Sequence, residues 1–389
     1  MNRDRMRRLN RVVIVIVALV LASVFASDAV TSALLFLAIV VALVMAHEAA
    51  HFVTAKIFGV RVLEFGVGFP PRIAGKRFGE TDYTVNWLPL GGFVKLLGEE
   101  DPGDPRSLAA QAAWKRLIIL ASGSVVNLLL PILLFAIAYT IPHEESISRA
   151  VIETVVPGSP AAAAGLQPED VIVEIDGRDA KNVFETGKLI RLNLGNDTEI
   201  VVNRAGELVT VEVTPRWSPP SGEGPTGITI RSQCTVVGGQ GCVPFSETVS
   251  LYPWESFPKG LQATLDSIVL ARNDVISWFK GSGGPEVAGP VGIAQTTGEV
   301  AREEGFATVV ALAALLSLNL GIFNLLPVPM LDGGRMLFVF IEIVRGGRRI
   351  APEKEALVHF VGLVLFIALA IVVTFGDILR LFEGDTVPR

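Results

Sequence analysis

The sequence predicts a polytopic α-helical membrane protein with an inserted α+β domain. Of its 389 residues, 50% are apolar and only 19% are charged, which is too apolar for an ordinary soluble chain. Several apolar runs reach the roughly 20 residues that cross a bilayer core of about 30 Å. Because these runs are spread along the chain, we expect several core spans, a membrane-associated β-hairpin region and one extra apolar segment at the N-terminus.

Residues 1–30 combine a cluster of arginines with an apolar run from Val12 to Ala26. Basic residues beside an apolar run remain in the cytoplasm, so this run leads outward. The same pattern fits a signal peptide, because small residues follow a short apolar core. Under either interpretation the next span, residues 31–58, starts outside and ends in the cytoplasm.

Residues 59–116 contain short segments in which apolar and polar residues alternate and glycines recur. This pattern predicts β-hairpins, which we expect on the cytoplasmic side of the membrane. Gly66 and Gly68 would let a second extended backbone approach an edge strand closely. Ordinary turn glycines are the alternative. A second core span, residues 117–141, then runs outward.

Residues 150–232 have the pattern of a small soluble α+β domain, with short strands separated by turns and two helices. Residues 233–305 form a loop followed by an amphipathic helix that we expect on the membrane surface. The loop contains the two cysteines of the chain, Cys234 and Cys242. Their spacing is compatible with a short disulfide ring and with two free thiols.

The last part of the chain predicts a span with a half-length helix over residues 306–345 and a final span over residues 356–376. Pro327 and Pro329 interrupt the first of these at membrane depth, which is tolerated only where the backbone lines a cavity or packs on protein. A cluster of arginines at residues 345–349 places the intervening turn inside. These assignments predict a multi-pass protein of the inner (plasma) membrane, with residues 142–305 on the extracytoplasmic side.

The residues His47, Glu48 and His51 carry the strongest chemical signal. Two histidines one helical turn apart face the same way and can bind one Zn²⁺ through their imidazole nitrogens. Glu48 is then placed to accept a proton from an attacking water and pass it to a leaving amine. An ionisable group within an apolar span is costly, so this motif predicts a zinc hydrolase site rather than a chance match.

A catalytic zinc needs a third protein ligand and an open fourth position. Asp332 follows the proline-interrupted segment, where the backbone must line a cavity, and we predict that it is this ligand. Asp-Gly-Gly taken alone is typical of a turn or helix cap. His143 and His359 have no second ligand-type residue at a useful spacing, so we interpret them as packing or interfacial residues.

Together these motifs resemble the site-2 protease family of intramembrane zinc proteases, and in particular its RseP-like members. The resemblance extends from about residue 33 to 380 and includes the segment from Asn319 to Gly334. It implies zinc ligands at His47, His51 and Asp332, with Glu48 as the general base. It also implies substrate positioning by Asn324, with Asn319 matching the same motif.

The resemblance further implies cleavage of a single-pass membrane protein, commonly an anti-sigma factor, within the lipid bilayer. The inserted domain resembles a PDZ fold around residues 165–177, which implies a groove for a peptide ligand or an obstruction to bulky substrates. One departure from the family pattern is the absence of the usual proline after Gly123.

Two other classes of function remain as alternatives. A membrane-bound PDZ scaffold that keeps zinc for stability would not need Glu48, and lipid-modifying metalloenzymes need more than the four histidines present here. Nucleic acid is excluded as a partner, because the net charge is −6 and the basic residues form short clusters beside apolar runs.

Overall fold

Two compact units make up the chain. The structure, a computed structural model, describes residues 28–99, 101–236, 242–282 and 289–383. Residues Met1–Leu134 and Val287–Arg389 belong to unit 1, and residues Phe135–Glu286 form unit 2. The predicted extra apolar segment, Val12–Ala26, lies outside the described residues.

The described part of unit 1 starts with an apolar helix and two long strands, namely α1 (Asp28–Ile57), β1 (Val62–Phe78) and β2 (Thr81–Leu96). The sequence predicted several short hairpins here, but the chain forms one hairpin whose strands bend. Residues 62–67 pair with residues 92–96 on one side and with residues 82–85 on the other. The glycines and prolines lie at register shifts within the strands, because an irregular strand accommodates them without turning back.

The turn of this hairpin is fixed to the end of α1. Glu80 accepts hydrogen bonds from Lys56 and Arg106, each at 2.7 Å. These bonds lower the pKa of Glu80 to about 2, so its carboxylate stays charged at neutral pH. A second apolar helix, α2 (Ala113–Thr140), follows the loop that carries Arg106.

Unit 2 is built around a six-stranded sheet. Its described elements are β3 (His143–Ser146), β4 (Ala150–Val155), α3 (Pro160–Ala163), β5 (Val171–Ile175), β6 (Arg178–Asp179), α4 (Val183–Leu192), β7 (Thr198–Arg204), β8 (Glu207–Val213), β9 (Ile228–Ser232), β10 (Cys234–Val236), β11 (Cys242–Pro244), β12 (Ser246–Val249) and α5 (Pro253–Phe279). The strand order of the sheet is β8-β7-β5-β4-β9, and β6 pairs with β5. Two strand pairs are separate from this sheet, β3 with β12 and β10 with β11.

Local signals set most of these elements. The side chains of Ser159 and Asn182 cap the N-termini of α3 and α4, and the alternating apolar residues of the strands bury Ile152, Ile172 and Ile200 completely. The sequence did not predict β9, because its pairing with β4 joins segments that are far apart along the chain.

The segment that the sequence described as a loop before α5 contains strands β10 to β12, and Cys234 is disulfide-bonded. Helix α5 turns small and polar residues such as Gly260 and Thr264 toward the interior of unit 2. Its large apolar residues Phe257, Leu261 and Leu265 are exposed. The apolar stripe of α5 therefore faces away from the unit.

Four further helices complete unit 1, namely α6 (Pro290–Glu303), α7 (Phe306–Leu325), α8 (Asp332–Val344) and α9 (Pro352–Glu383). The sequence did not predict α6, whose N-terminus depends on a distant partner. Asp377 of α9 accepts hydrogen bonds from the backbone amides of Gly289 at 3.1 Å and Gly292 at 2.9 Å. A buried carboxylate thus satisfies the free amides at the start of α6.

Helix α9 is longer than the sequence predicted. It continues to Glu383, beyond the expected end at residue 376, and Asp377 is a buried helical residue. Helix α8 begins at Asp332, so both glycines of the Asp-Gly-Gly segment belong to its first turn.

Four of the described helices are long and apolar enough to cross a membrane. The spanning segments are Val30–Ile57, Ala113–Thr140, Phe306–Leu325 and Pro352–Arg380, with mean hydropathies from 2.2 to 2.9. Each reaches the roughly 20 residues that a bilayer core requires. The chain is therefore a multi-pass membrane protein with some β-sheet.

An apolar cluster joins several elements of unit 1 at the C-terminal end of α1, just after the histidine motif. It contains residues from the end of α1, the base of the hairpin, the following loop, α2 and α8, namely Ala55, Val60, Val62, Leu96, Leu108, Ile119, Leu120 and Val339. Because interiors are close-packed, the cluster fixes α2 and α8 against the end of α1.

Unit 2 contains an ion pair between Asp170 and Arg204 that we expect to weaken at acidic pH. Asp170 has a side chain that is only 1% exposed, and it accepts hydrogen bonds from Arg204 Nε at 2.8 Å and Gln167 N at 2.9 Å. Burial alone raises the pKa of Asp170, but these hydrogen bonds outweigh it, and the pKa lies below its usual value. Asp170→Asn should therefore destabilise unit 2 by about 2 kcal/mol.

Hydrogen exchange of the β5 and β7 amides in the purified chain measures this loss. The contribution of Asp170 should be complete above about pH 4 and should decline as the pH falls through the lower folded-state pKa. Glu169→Gln is the matched control, because the Glu169–Arg231 pair is exposed and should contribute about 0.5 kcal/mol or less. Equal effects of the two substitutions would contradict the prediction.

Candidate metal centre

Two imidazoles meet on one face of α1. His47 and His51 are one helical turn apart, so their side chains project from the same side of the helix. Both residues are buried, with 5% and 6% of their surface exposed. Their Nε2 atoms lie 3.1 Å apart. The spacing that the sequence suggested therefore brings two nitrogen donors together.

Asp332, the first residue of α8, brings an oxygen donor to the same point. Its Oδ2 atom lies 2.9 Å from Nε2 of His47 and 3.2 Å from Nε2 of His51. The loop before Asp332 folds back closely, since a Cβ at Gly333 would overlap the carbonyl groups of Leu325 and Leu326. Glycine at this position is what allows the first turn of α8 to deliver the carboxylate.

The three donor atoms fit a zinc ion. Ligands about 2.0–2.1 Å from a tetrahedral metal lie about 3.3 Å from one another, close to the separations found here. The imidazole and carboxylate donors are the types that zinc prefers. Among the described residues, His47, His51 and Asp332 form a group whose ligand atoms all lie within 4.8 Å of one another.

Helix α2 supplies the partners of both imidazoles. His51 Nδ1 lies 2.7 Å from the carbonyl oxygen of Ile119, and His47 Nδ1 lies 3.2 Å from Nδ2 of Asn127. A Cβ at Gly123 would overlap the Nε2 atoms of both histidines. Asn127 was not among the residues predicted for the site, although a polar Asn in an apolar span is a signal for such a contact.

Glu48 lies beside this group and is half-buried. The strand segment of residues 92–96 runs next to it, with the backbone of Val94 close to the Glu48 carboxylate. A Cβ at Gly92 would lie 3.6 Å from Cγ of Glu48. The hairpin therefore approaches the histidine motif with its β2 edge.

The residues expected to bind substrate occupy different environments. Asn324 is half-buried and Asn319 is exposed, and neither side chain makes a hydrogen bond within the described part of the chain. Gly66 and Gly68 are buried inside the hairpin. A Cβ at Gly66 would meet the Phe93 ring, so glycine is needed there for the packing of the hairpin itself.

The other two histidines are not members of the donor group. Nδ1 of His143 lies 2.8 Å from the carbonyl oxygen of Ile141. His359 of α9 accepts the backbone N–H of Met330 at 2.7 Å, and thus contacts the loop that precedes Asp332. The sequence predicted His359 to be a packing residue and did not predict this contact, because the two residues are 29 positions apart along the chain.

Residues 35–369 match the family model described as Peptidase family M50. The chain is 34% identical to a putative zinc metalloprotease of Clostridium perfringens over 340 residues, which cover 86% of this chain and 94% of that relative. It is 30% identical to the zinc metalloprotease RasP of Oceanobacillus iheyensis, with coverage of 86% and 96%. RasP of Geobacillus kaustophilus is 29% identical, with coverage of 86% and 95%.

The match to the family covers all four apolar helices, at least in large part, and includes the His-His-Asp group. The relatives are zinc metalloproteases, and the donor group suits that metal. The chain therefore belongs to peptidase family M50 and is a multi-pass membrane metalloprotease with zinc as its cofactor.

Proposed function

We propose that this protease cuts transmembrane segments of single-pass membrane proteins, with zinc held by His47, His51 and Asp332. The observation that carries the proposal is the position of the donor group. It lies on α1, a helix long and apolar enough to span the membrane, so the site is at membrane depth. Buried ionisable groups at such depth are retained where they have a function.

Zinc bound to these residues supplies a Lewis acid that activates water and polarises the scissile carbonyl. Glu48 accepts the proton of the attacking water and delivers it to the leaving amine. Its place one residue after His47 keeps the carboxylate next to the donor group, and the backbone of Val94 lies close to it. The buried surroundings restrict bulk water at the site.

A transmembrane substrate must lose its helical hydrogen bonds before its backbone can be cut. The β2 edge at residues 92–96 runs beside Glu48 and pairs on one side with residues 62–67. An unwound segment added to this edge would regain main-chain hydrogen bonds. Gly66 and Gly68 contribute by shaping the hairpin that presents this edge.

We propose that Asn324, near the end of α7, also holds the substrate main chain. Its amide can donate and accept, and its lack of a partner within the described residues argues against a helix-capping role. Asn319 lies further from the Asp332 loop along α7 and is exposed, so we propose a secondary contact with substrate there.

We propose that unit 2 is a PDZ-like domain on the extracytoplasmic side. Its antiparallel sheet with the helices α3 and α4 is compatible with that fold. A groove of this kind takes a peptide end as an added strand, or the domain obstructs substrates that still carry a large ectodomain. Either role suits regulated cleavage of an anti-sigma factor or a similar signalling substrate after another protease has acted.

The proposed location is the inner (plasma) membrane, with residues 59–116 and 343–355 on the cytoplasmic side and residues 142–305 outside. The basic clusters of the hairpin and of the turn before α9 support this orientation. The outward apolar stripe of α5 supports contact of that helix with the lipid surface.

The first prediction separates the base from the ligands. Glu48→Gln should retain zinc and abolish cleavage of a fluorescent single-span fusion in reconstituted vesicles, because an amide cannot accept the water proton. Asp332→Ala is the contrasting variant and should lower zinc content together with activity. Full activity of Glu48→Gln would refute the base assignment, and wild-type zinc content of Asp332→Ala would refute the ligand assignment. Zinc binding without cleavage by the wild type would favour a non-proteolytic scaffold.

The second prediction concerns Asn324→Ala. Zinc content and melting temperature should stay native while cleavage slows by an order of magnitude or more, equivalent to about 1.4 kcal/mol. Asn319→Ala, measured beside it, should cost less because that side chain is exposed. Native turnover of Asn324→Ala, or a lowered melting temperature with native turnover per folded molecule, would exclude the substrate role.

The third prediction concerns the orientation in the membrane. In intact cells an impermeant thiol reagent should label Glu223→Cys of unit 2 and should not label Lys76→Cys of the hairpin. Permeabilised cells provide the control, because both cysteines should then react. The reverse pattern in intact cells would overturn the proposed topology while leaving the zinc site unaffected.

A further inference from the structure

The two imidazoles of the donor group have different partners at their second nitrogens. His51 Nδ1 lies 2.7 Å from the carbonyl oxygen of Ile119. A carbonyl oxygen can only accept, so Nδ1 carries the ring hydrogen and donates it. The Nε2 atom of His51 is left with a lone pair that points at the other two donors, as a metal ligand requires.

His47 needs the same arrangement if its Nε2 atom is also a ligand. Its Nδ1 atom must then donate, and a ligating histidine usually donates this hydrogen to a carboxylate, a carbonyl or water. The group at this position is the Asn127 side chain, whose nitrogen Nδ2 lies 3.2 Å from His47 Nδ1. Two donors cannot share one hydrogen bond, so this orientation suits only a His47 whose Nε2 atom carries the hydrogen.

The other end of the Asn127 amide gives independent evidence. Asn127 is 0% exposed, and its oxygen Oδ1 is buried without a hydrogen-bond partner among the described residues. A buried amide oxygen is rarely left unpaired. Rotation of the amide by 180° exchanges two atoms of nearly the same size, so the packing of the side chain does not change.

We propose that Asn127 is a positioning residue for the zinc site, whose amide oxygen accepts the Nδ1 hydrogen of His47 in the zinc-binding state. This inference rests on the proposed zinc ligands. It turns the unpaired acceptor into a partner and frees the Nε2 lone pair of His47 for the metal.

The surroundings hold Asn127 in place for this role. Its backbone carbonyl accepts a hydrogen bond from Ser317 of α7 at 3.0 Å, which fixes α2 against α7 at this level.

Two nearly isosteric substitutions separate the orientations of the amide. Asn127→Asp can accept but cannot donate, whereas Asn127→Leu can do neither. Zinc affinity of the purified full-length chain is measured by competition with a chelating dye. We expect Asn127→Leu to lose about 10–100-fold in affinity, while Asn127→Asp stays within about threefold of the wild type or binds more tightly.

The visible spectrum of the Co²⁺-substituted chain provides a readout that does not depend on activity. It should change in Asn127→Leu, because the imidazole of His47 is no longer held in orientation, and it should stay close to wild type in Asn127→Asp. Thr297→Val is the matched control, since Thr297 is buried on α6 and its hydroxyl bonds to Ile293 O within that helix. Its zinc affinity should be unchanged.

Wild-type affinity of a folded Asn127→Leu would overturn the proposal, and so would an equal loss in Asn127→Asp and Asn127→Leu. If Asn127→Leu does not fold, Asn127→Ala takes its place with the same expectation. Asp332→Ala is measured in the same assay. If its affinity is native, the proposed zinc ligands fail; if only the Asn127 variants behave like wild type, the positioning role alone fails.

Discussion

The structure of unit 1 depends on the convergence of three electron-pair donors at a buried point. Nε2 of His47, Nε2 of His51 and Oδ2 of Asp332 lie 2.9–3.2 Å from one another. Such atoms repel unless a cation or shared hydrogens lie between them. Helix α1 supplies two donors by its periodicity, and the glycines of the α8 turn and of α2 remove the side chains that would otherwise occupy the space.

The sequence predicted the donors because each has a local signal. His47 and His51 are four residues apart on a helix, and Asp332 follows prolines that interrupt a span. Their partners lack such a signal. The contact of His51 with Ile119 uses a backbone carbonyl, and the contact of His47 with Asn127 depends on the rotation of α2 against α1. Helix packing fixes these angles, and the sequence of one helix does not encode them.

The strand pairing of the β-hairpin was not predicted from the sequence. Alternating residues identified extended chain, but the pairing of residues 62–67 with two different parts of β2 could not be derived from short-range spacing. The same holds for Gly66 and Gly68, whose small size serves the interior of the hairpin. The segment that adjoins Glu48 is instead residues 92–96, which places the β2 edge and not the glycines next to the chemistry.

Helix α9 contributes no donor, yet the position of Asp332 depends on it. The loop between α7 and α8 contains Met330 at a φ of 75°, a conformation that is unfavourable for a side chain of this size. His359 of α9 accepts the Met330 backbone N–H, and Gly362 allows α9 to contact Pro329 closely. The most apolar part of α9 has no buried residue among those described, and the loop contacts, the ring contact of His359 with Phe338 and the Asp377 cap of α6 are among the contacts that attach this span to unit 1. The last span therefore contacts the loop that presents Asp332, and the turn at Met330 is stabilised by a helix that contributes no donor to the His-His-Asp group.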